Sequence, residues 1–198
     1  AIGNEALRCN TLAACNIAIG YCALRNNCSG DNNIAMGKFA LVNNINGGGG
    51  IAIGDEALCA STRGCNIAIG FRALSKGNNQ YNNIAIGVKA GYCLVYGFSG
   101  VVGGTKNVLI GNKIGFCYSN SGGKNTVIGH YAMKCANGGA SDNSAVGYYT
   151  LSKITSGCGN SAFGSRSQAN NTTGTCNSSF GSFSLYNTTT GGFNNAFG

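Results

Sequence analysis

The sequence lacks several residue types on which common classes of protein depend. Among 198 residues there is no proline and no tryptophan, there is one histidine, and charged residues make up only 9%. The absence of proline excludes a collagen-like chain. No apolar run approaches the roughly 18 residues of a membrane helix. The chain has no initiator methionine or secretory signal segment and begins inside a pattern that recurs later, so we expect a processed product or a piece of a longer protein.

Glycine, asparagine and apolar residues are abundant instead. There are 34 glycines and 28 asparagines, and 43% of the chain is hydrophobic. Disordered chains are poor in apolar residues and rich in charge, so this composition does not predict disorder. It is typical of a fold with many tight turns and many short apolar strands.

The net charge of +8 comes from 13 basic and 5 acidic residues that are scattered along the sequence. A nucleic-acid interface needs basic residues clustered on one face together with stacking aromatics. The nearest approach to a cluster is the spaced set Lys106, Lys113 and Lys124. We therefore expect the charge to serve solubility and expect no nucleic-acid partner.

A five-residue phrase, Asn-Ile-Ala-Ile-Gly and its variants, recurs through the whole chain. Its twelve copies end at glycines spaced by 17, 17, 17, 16, 17, 24, 18, 18, 17, 17 and 17 residues, beginning at Gly3. A second phrase, Ala-Leu, follows most copies, as at Ala23-Leu24. Helical repeats run from about 33 residues upward. Each repeat therefore predicts one coil of two short strands and two turns.

Substitutions among the copies predict which positions are buried. The residue before the phrase glycine is always Ile, Met, Val or Phe, so we expect it to point into the coil. The preceding Ala or Ser predicts a tightly packed second face. The first variable position changes from Ile to Ser in the later copies, as at Ser144, and must lie near a surface.

Two columns of the repeat predict structural roles. Coils stacked about 4.8 Å apart form a rod roughly 50 Å long, in which aligned asparagines can form a ladder of amide hydrogen bonds. The ladder residues are Asn16, Asn33, Asn66, Asn83, Asn107, Asn125, Asn143, Asn160, Asn177 and Asn194. The phrase glycines predict a corner that requires positive φ or close backbone approach. They are Gly20, Gly37, Gly54, Gly70, Gly87, Gly111, Gly129, Gly147, Gly164 and Gly181.

Eleven cysteines fall at related positions of the repeat and predict disulfides in an oxidising setting. They are Cys9, Cys15, Cys22, Cys28, Cys59, Cys65, Cys93, Cys117, Cys135, Cys158 and Cys176. One arrangement closes loops, pairing Cys9 with Cys15, Cys59 with Cys65, and Cys22 with Cys28. The other pairs stacked neighbours such as Cys117 and Cys135. The odd total leaves one thiol free or bonded to another chain; free buried thiols in a reducing compartment are the alternative.

No catalytic, cofactor or metal site is expected. The only adjacent acids are Asp55 and Glu56, and His130 reads as a surface turn residue. The glycine run 47–50 lacks the Lys-Ser/Thr of a phosphate-binding loop. No Cys-x-x-Cys pair is present to suggest a zinc site. We therefore expect the protein not to be an enzyme.

The phrase Asn-x-Ala-Ile-Gly-x-x-Ala-Leu resembles the head repeats of trimeric autotransporter adhesins of the YadA type, and it is similar to repeats of phage and large-virus tail fibres. The resemblance extends over nearly the whole chain. It implies an all-β fold, a parallel β-solenoid that is a left-handed β-roll, usually built from three chains and displayed on a cell or virion surface. The eleven cysteines depart from the pattern of these repeats. The coil length of 17–18 residues favours the resemblance to tail fibres over that to adhesin heads.

Together these observations predict one repeat domain over residues 1–198, of about 11–12 coils of 17–18 residues, with a loop insertion at about 92–106. The expected function is an extracellular structural or adhesive fibre segment. The alternative is a filament subunit whose copies stack end to end, because an open strand edge can template pairing. Expected partners are copies of the chain, as a homotrimer or filament, and a host receptor or glycan. Ice binding is a weaker alternative, because Thr172, Thr173 and Thr188–Thr190 read as turn clusters without a column.

Overall fold

A computed structural model describes residues 1–76, 80–92, 104–115, 122–136 and 138–198. Within these ranges the chain is all-β and forms eleven strands with no helix. The strands are β1 Ile17–Ile19, β2 Ile34–Met36, β3 Ile51–Ile53, β4 Ile67–Ile69, β5 Ile84–Ile86, β6 Val108–Asn112, β7 Thr126–His130, β8 Ser144–Tyr148, β9 Ser161–Phe163, β10 Ser178–Phe180 and β11 Asn195–Phe197. The expected insertion at about 92–106 falls mostly on residues 93–103, which lie outside the described ranges.

All eleven strands belong to one parallel sheet whose order follows the sequence from β1 to β11. Each strand pairs in register with the same three residues of the next repeat, as Ile17 pairs with Ile34 and Ala18 with Ala35. Ile2 adds an isolated parallel bridge to Ile19 before β1. This topology is the β-solenoid that the repeat predicted; its left-handed sense stays a prediction.

The prediction of two strands per coil is wrong, because the Ala-Leu segment forms turns. Its residues two and four positions after the phrase glycine have positive φ, such as 56° at Cys22 and 52° at Leu24. The Ala23 N–H donates to Gly20 O and the Arg25 N–H to Cys22 O, which gives overlapping four-residue turns. The segments still stack on one another, since the Leu24 N–H donates to Ala40 O of the next coil. We call the residues one to six positions after each phrase glycine the turn segment.

The core is narrow and is filled by small side chains. The second residue of each strand from β1 to β10 is buried, as are the Ala and Leu of most turn segments, for example Ala35, Ala40 and Leu41. The prediction that the residue before the phrase glycine points inward is wrong. The alternation of a strand puts its first and third residues on the same face; that face is outward, with Ile17 49% and Met36 39% exposed. The residue between them points into the coil; it is Ala in most strands and Leu109, Val127 or Ser179 in the others.

The core turns polar near the C-terminal end of the solenoid, and its polar groups are paired there. Gln168 is fully buried, and its Nε2 donates to Ser179 Oγ at 2.9 Å and to the carbonyls of Ser161 and Asn177 at 3.2 Å. Its Oε1 accepts a hydrogen bond from Asn171 at 3.1 Å. The buried glutamine therefore replaces a core leucine without an unsatisfied amide.

Candidate functional site

The asparagines of the phrase form a buried hydrogen-bonded column. The Oδ1 of Asn143 accepts both the backbone N–H of Asn160 at 2.9 Å and its Nδ2 at 3.0 Å. The Nδ2 of Asn143 donates in turn to Asn125 Oδ1 at 3.1 Å and to Gly157 O at 2.9 Å. Because the Asn143 amide uses its acceptor and both donors, it acts as part of an internal scaffold and has no capacity left to bind a ligand.

The ladder has one gap, at Gly50, where the phrase carries glycine in place of asparagine. The Gly50 N–H donates to Asn33 Oδ1 at 2.8 Å. Gly50 has no side-chain amide, however, that could bond to Asn66 in the next coil. A second, shorter amide column was missed by the sequence reasoning. It lies seven residues after the phrase glycine, where Asn44 Nδ2 donates to Asn27 Oδ1 at 2.8 Å and Asn27 Nδ2 to Asn10 Oδ1 at 3.2 Å. The 17-residue spacing of these three asparagines was the available signal.

The phrase glycines lie on one corner of the coil with φ between 126° and 141° from Gly20 to Gly181. A Cβ at Gly20 would lie 2.7 Å from Gly37 O, and one at Gly70 would lie 2.6 Å from Gly87 O. Both requirements that the sequence suggested, an unusual φ and close approach of two backbones, therefore hold at the same residues. The column is structural.

The nine cysteines that the structure describes are free thiols, so the predicted loop disulfides Cys9–Cys15, Cys22–Cys28 and Cys59–Cys65 are not formed. Cys93 and Cys117 lie outside the described residues. Three exposed cysteines that directly precede the phrase share one turn position with φ of 55° to 59°: Cys15, Cys65 and Cys176. Cys22 is instead buried, and its Sγ lies 3.5 Å from Glu5 Oε2. Burial also raises the pKa of the Cys59 thiol.

The acidic residues are engaged in local pairs. Glu56 receives two hydrogen bonds from Arg72, at 2.8 and 3.0 Å, and this guanidinium holds the pKa of the carboxyl below its ordinary value. The hydrogen bond from Cys22, together with Arg25 and Arg8, lowers the pKa of Glu5. Asp55 accepts the Lys38 N–H at 3.0 Å, so the Asp55-Glu56 pair is not a pair of converging acids. His130 ends β7, is exposed, and stacks on Tyr131 with ring centroids 4.3 Å apart.

A short threonine column exists, contrary to the sequence expectation. Thr155 Oγ1 donates to Thr172 O and Thr172 Oγ1 to Thr189 O, each at 3.0 Å. The column joins three coils at the C-terminal end. Its hydroxyls hold adjacent turns together. The expectation that Thr172 belongs to a turn cluster without a column is therefore wrong.

The outward side of the sheet is the larger of two candidate interaction surfaces. We call the first and third residues of the strand triplets the outward sheet face. The third residues are apolar in every strand, and the first are Ile or Val from β1 to β6 and Thr, Ser or Asn from β7 to β11. No charged side chain stands among these columns in the eleven strands. Exposed apolar patches of this continuity mark interaction sites.

The second candidate surface lies on the turn segments, where the fold gathers cations that are far apart in sequence. Six consecutive coils each place a cation two, five or six residues after the phrase glycine. We call these residues the basic band: Lys76, Lys89, Lys113, Lys134, Lys153 and Arg166. Mapping Lys and Arg onto the repeat would have found the band; the search for a contiguous basic run could not.

Aromatic rings lie against the cations of the band. The Nζ atoms of Lys113 and Lys134 lie 5.5 and 5.1 Å from the centre of the Tyr131 ring. The centre of the Tyr131 ring is in turn 4.9 Å from that of the Tyr149 ring. A cavity of about 250 Å³ opens beside them. It is lined among others by Lys134, Lys153, Arg166, Tyr149 and Tyr186.

In the described part of the chain no three His, Cys, Asp or Glu side chains are placed to hold a metal ion. Over the same residues there is no helix long and apolar enough to cross a membrane.

Comparison of the chain with protein-family models, with curated proteins and with solved structures found no match. The likeness of the repeat phrase to adhesin and tail-fibre repeats therefore assigns no family.

Proposed function

We propose that this protein is a non-enzymatic structural rod of an extracellular or surface-displayed fibre, and that copies of it associate side by side through the outward sheet face. The observation that carries the proposal is the apolar third column of the outward sheet face, in which Ile53, Ile110 and Phe180 are 36% to 39% exposed. A monomeric rod in water would leave this strip unburied at every coil, whereas a fibre of several chains would cover it.

The size of the strip is sufficient for a specific interface. Three residues of strand width and eleven strands give a face of about 10 by 50 Å. Two such faces in contact bury about 1,000 Å² in total, which is the lower end of specific protein interfaces. Side chains that interdigitate add to this area.

A second copy of the chain is the occupant that fits best. Its outward columns repeat at the same spacing of about 4.8 Å, so the ridges and grooves of one face match those of another along the full length. The face carries no charge that would have to be neutralised in the interface. Two or three chains can satisfy this geometry, and the trimer is the arrangement that the repeat resemblance implies.

Sedimentation of the purified chain tests the association directly. We expect dimers or trimers for the native sequence and monomers for a variant with Ile53→Thr, Ile110→Thr and Ile128→Thr, which keeps β-branched residues in the strands. The control carries Leu12→Thr and Ile45→Thr, two exposed apolar residues outside the sheet. A native chain that stays monomeric at high concentration would contradict the proposal.

Electron microscopy separates the proposal from end-to-end assembly. Short rods of two or three chains would support lateral association. Long filaments of constant width that persist in the threonine variant would show that open strand edges, and not the outward sheet face, drive assembly.

A further inference from the structure

We propose that the basic band binds an acidic polysaccharide whose chain lies along the axis of the rod, with one carboxylate- or sulfate-bearing sugar in the cavity beside Tyr149. The band lies on the turn segments and not on the outward sheet face. The inference therefore goes beyond the proposed association of rods and can fail or succeed independently of it.

From Lys89 to Arg166, no ion pair among the described residues neutralises the charge of the band. The chain has five acidic residues, and none of them lines the cavity. Among the described residues, Glu5 pairs with Arg8 and Arg25, and Asp142 pairs with Lys124, all outside the band. Glu56 pairs with Arg72, in the same coil as Lys76, and both cations lower its pKa. From Lys89 to Arg166 the band has no ion-pair partner among the described residues, and such positive charge attracts a polyanion.

The axial spacing of the coils that carry the cations is compatible with a polysaccharide. Coils repeat at about 4.8 Å, which is close to the length of one pyranose residue in an extended chain. Each coil can therefore meet one sugar and its acidic group. A strand of duplex DNA carries a phosphate every 3.4 Å or so, and its charges fall out of step with the coils after two or three repeats.

The aromatic side chains complete a site suited to sugars. Rings fix the cations, as the Arg166 guanidinium lies 5.4 Å from the centre of the Phe183 ring. Arg166 can hold a carboxylate or sulfate by two parallel hydrogen bonds. Tyr149 and Tyr186 present both an apolar ring and a hydroxyl to the cavity, which matches the mixed surface of a pyranose.

Binding of fluorescently labelled polygalacturonate, measured by anisotropy on the native protein, tests the inference. The test variant carries Lys134→Gln, Lys153→Gln and Arg166→Gln. We expect it to bind at least about tenfold more weakly, because charge-assisted contacts are removed from the centre of the band. The matched control carries Arg63→Gln, Lys106→Gln and Lys124→Gln, which removes the same charge from other positions of the coil, and it should change affinity less than about threefold.

Comparison ligands make the outcome decisive. Dextran sulfate should bind and uncharged dextran should not, and galacturonic acid alone should bind far more weakly than the polymer, since several coils act together. Equal losses in the test and control variants would overturn the site, because net charge alone would then explain binding. Tighter binding of single-stranded DNA than of polygalacturonate would overturn the assignment to a sugar. Unchanged sedimentation of the test variant separates these results from the association of rods.

Discussion

At the scale of the residue, the coil depends on the particular chemistry of the asparagine side chain. Its amide offers two donors and an acceptor with two lone pairs, and Asn160 uses all of them, toward Asn143 and Gly174 and in accepting two bonds from Asn177. Aspartate has no donor, serine is too short and glutamine adds a methylene. From Asn16 to Asn194, the column therefore carries Asn in every phrase except that of Gly50.

Replacing one amide of the ladder should destabilise the whole solenoid. Asn143→Ala leaves the Asn160 N–H and the Gly157 carbonyl buried without their partners, so we expect a loss of about 2 to 4 kcal/mol in the free energy of unfolding. Urea denaturation followed by circular dichroism measures it. Asn187→Ala, at an exposed turn, should change stability by less than about 0.5 kcal/mol. Equal effects at the two sites would refute the structural role of the column.

At Gln80 we expect a substitution to have the opposite effect and to raise the free energy of unfolding. Gln80 is fully buried, and in the described structure neither atom of its side-chain amide has a hydrogen-bond partner. Gln80→Met keeps the shape and removes the buried amide, so we expect a gain of about 1 kcal/mol or more. Gln168→Met is the matched control; its amide is fully paired, and its loss should be destabilising. Thermal unfolding of the two variants measures the contrast, which a stability loss at residue 80 would contradict.

The ion pair of Glu56 predicts a small dependence of stability on pH. Because Arg72 lowers the folded-state pKa below 4.5, the pair stabilises the fold above about pH 4.5, and this contribution is lost as pH falls through the folded-state pKa. Both side chains are about a third exposed, so the effect is below about 1 kcal/mol. Glu56→Gln should therefore reduce stability near neutral pH and have no effect in strong acid. The same deficit in acid would show that the variant disturbs packing.

At the scale of the element, each coil combines one short strand with a turn segment, and the phrase glycine is where they meet. Eight strands end just before this residue, and β6, β7 and β8 continue one residue past it. Its φ, between 126° and 141° from Gly20 to Gly181, is one that only glycine tolerates well. Beyond it, non-glycine residues alternate into positive φ, held by hydrogen bonds from coil to coil. Twenty of the 29 described non-glycine residues with positive φ lie in the turn segments, so stacking, and not local propensity, maintains this segment.

Alanine substitutions at two glycines should show how much of the stability loss comes from close backbone approach and how much from backbone strain alone. At Gly70 alanine meets both an unfavourable φ of 129° and a carbonyl 2.6 Å from the new Cβ, so we expect a loss of about 3 kcal/mol or more. At exposed Gly49, φ is 70° and the nearest atom is 3.7 Å away, so Gly49→Ala should lose only about 1 kcal/mol. Calorimetry of both variants tests the difference; a tolerated alanine at Gly70 would disprove the close approach.

The coil could be predicted from the sequence in part. The repeat predicted the β-solenoid and the parallel stacking, because a fixed spacing of about 17 residues admits few other folds. It did not predict the turn segment, since Ala-Leu has no local feature that requires positive φ. The repeat also led to the wrong face for Ile19, because its apolar character was taken as a sign of burial. The first and third residues of a strand share one face, and the serines at the first position, such as Ser144 and Ser161, indicate that this face is exposed. The basic band was missed because its cations converge only after stacking.

At the scale of the whole molecule, the solenoid is quasi-one-dimensional, and each strand pairs only with its neighbours in sequence. Small changes within the repeat therefore become long surfaces. One outward apolar position per coil becomes a strip about 50 Å long, and one cation per coil becomes a band. The two surfaces lie on different segments of the coil, so one rod can associate with copies of itself and still present its basic band.

Lateral association predicts a thermal stability that depends on protein concentration. If folded rods bind one another and unfolded chains do not, mass action raises the midpoint of unfolding as concentration rises. We expect the midpoint of the native chain to increase by several degrees over a hundredfold range of concentration, and that of the variant Ile53→Thr/Ile110→Thr/Ile128→Thr to stay constant. Differential scanning calorimetry at matched scan rates measures both. A constant midpoint for the native chain would mean that the outward sheet face remains uncovered, since burial of about 1,000 Å² between folded rods must appear in this dependence.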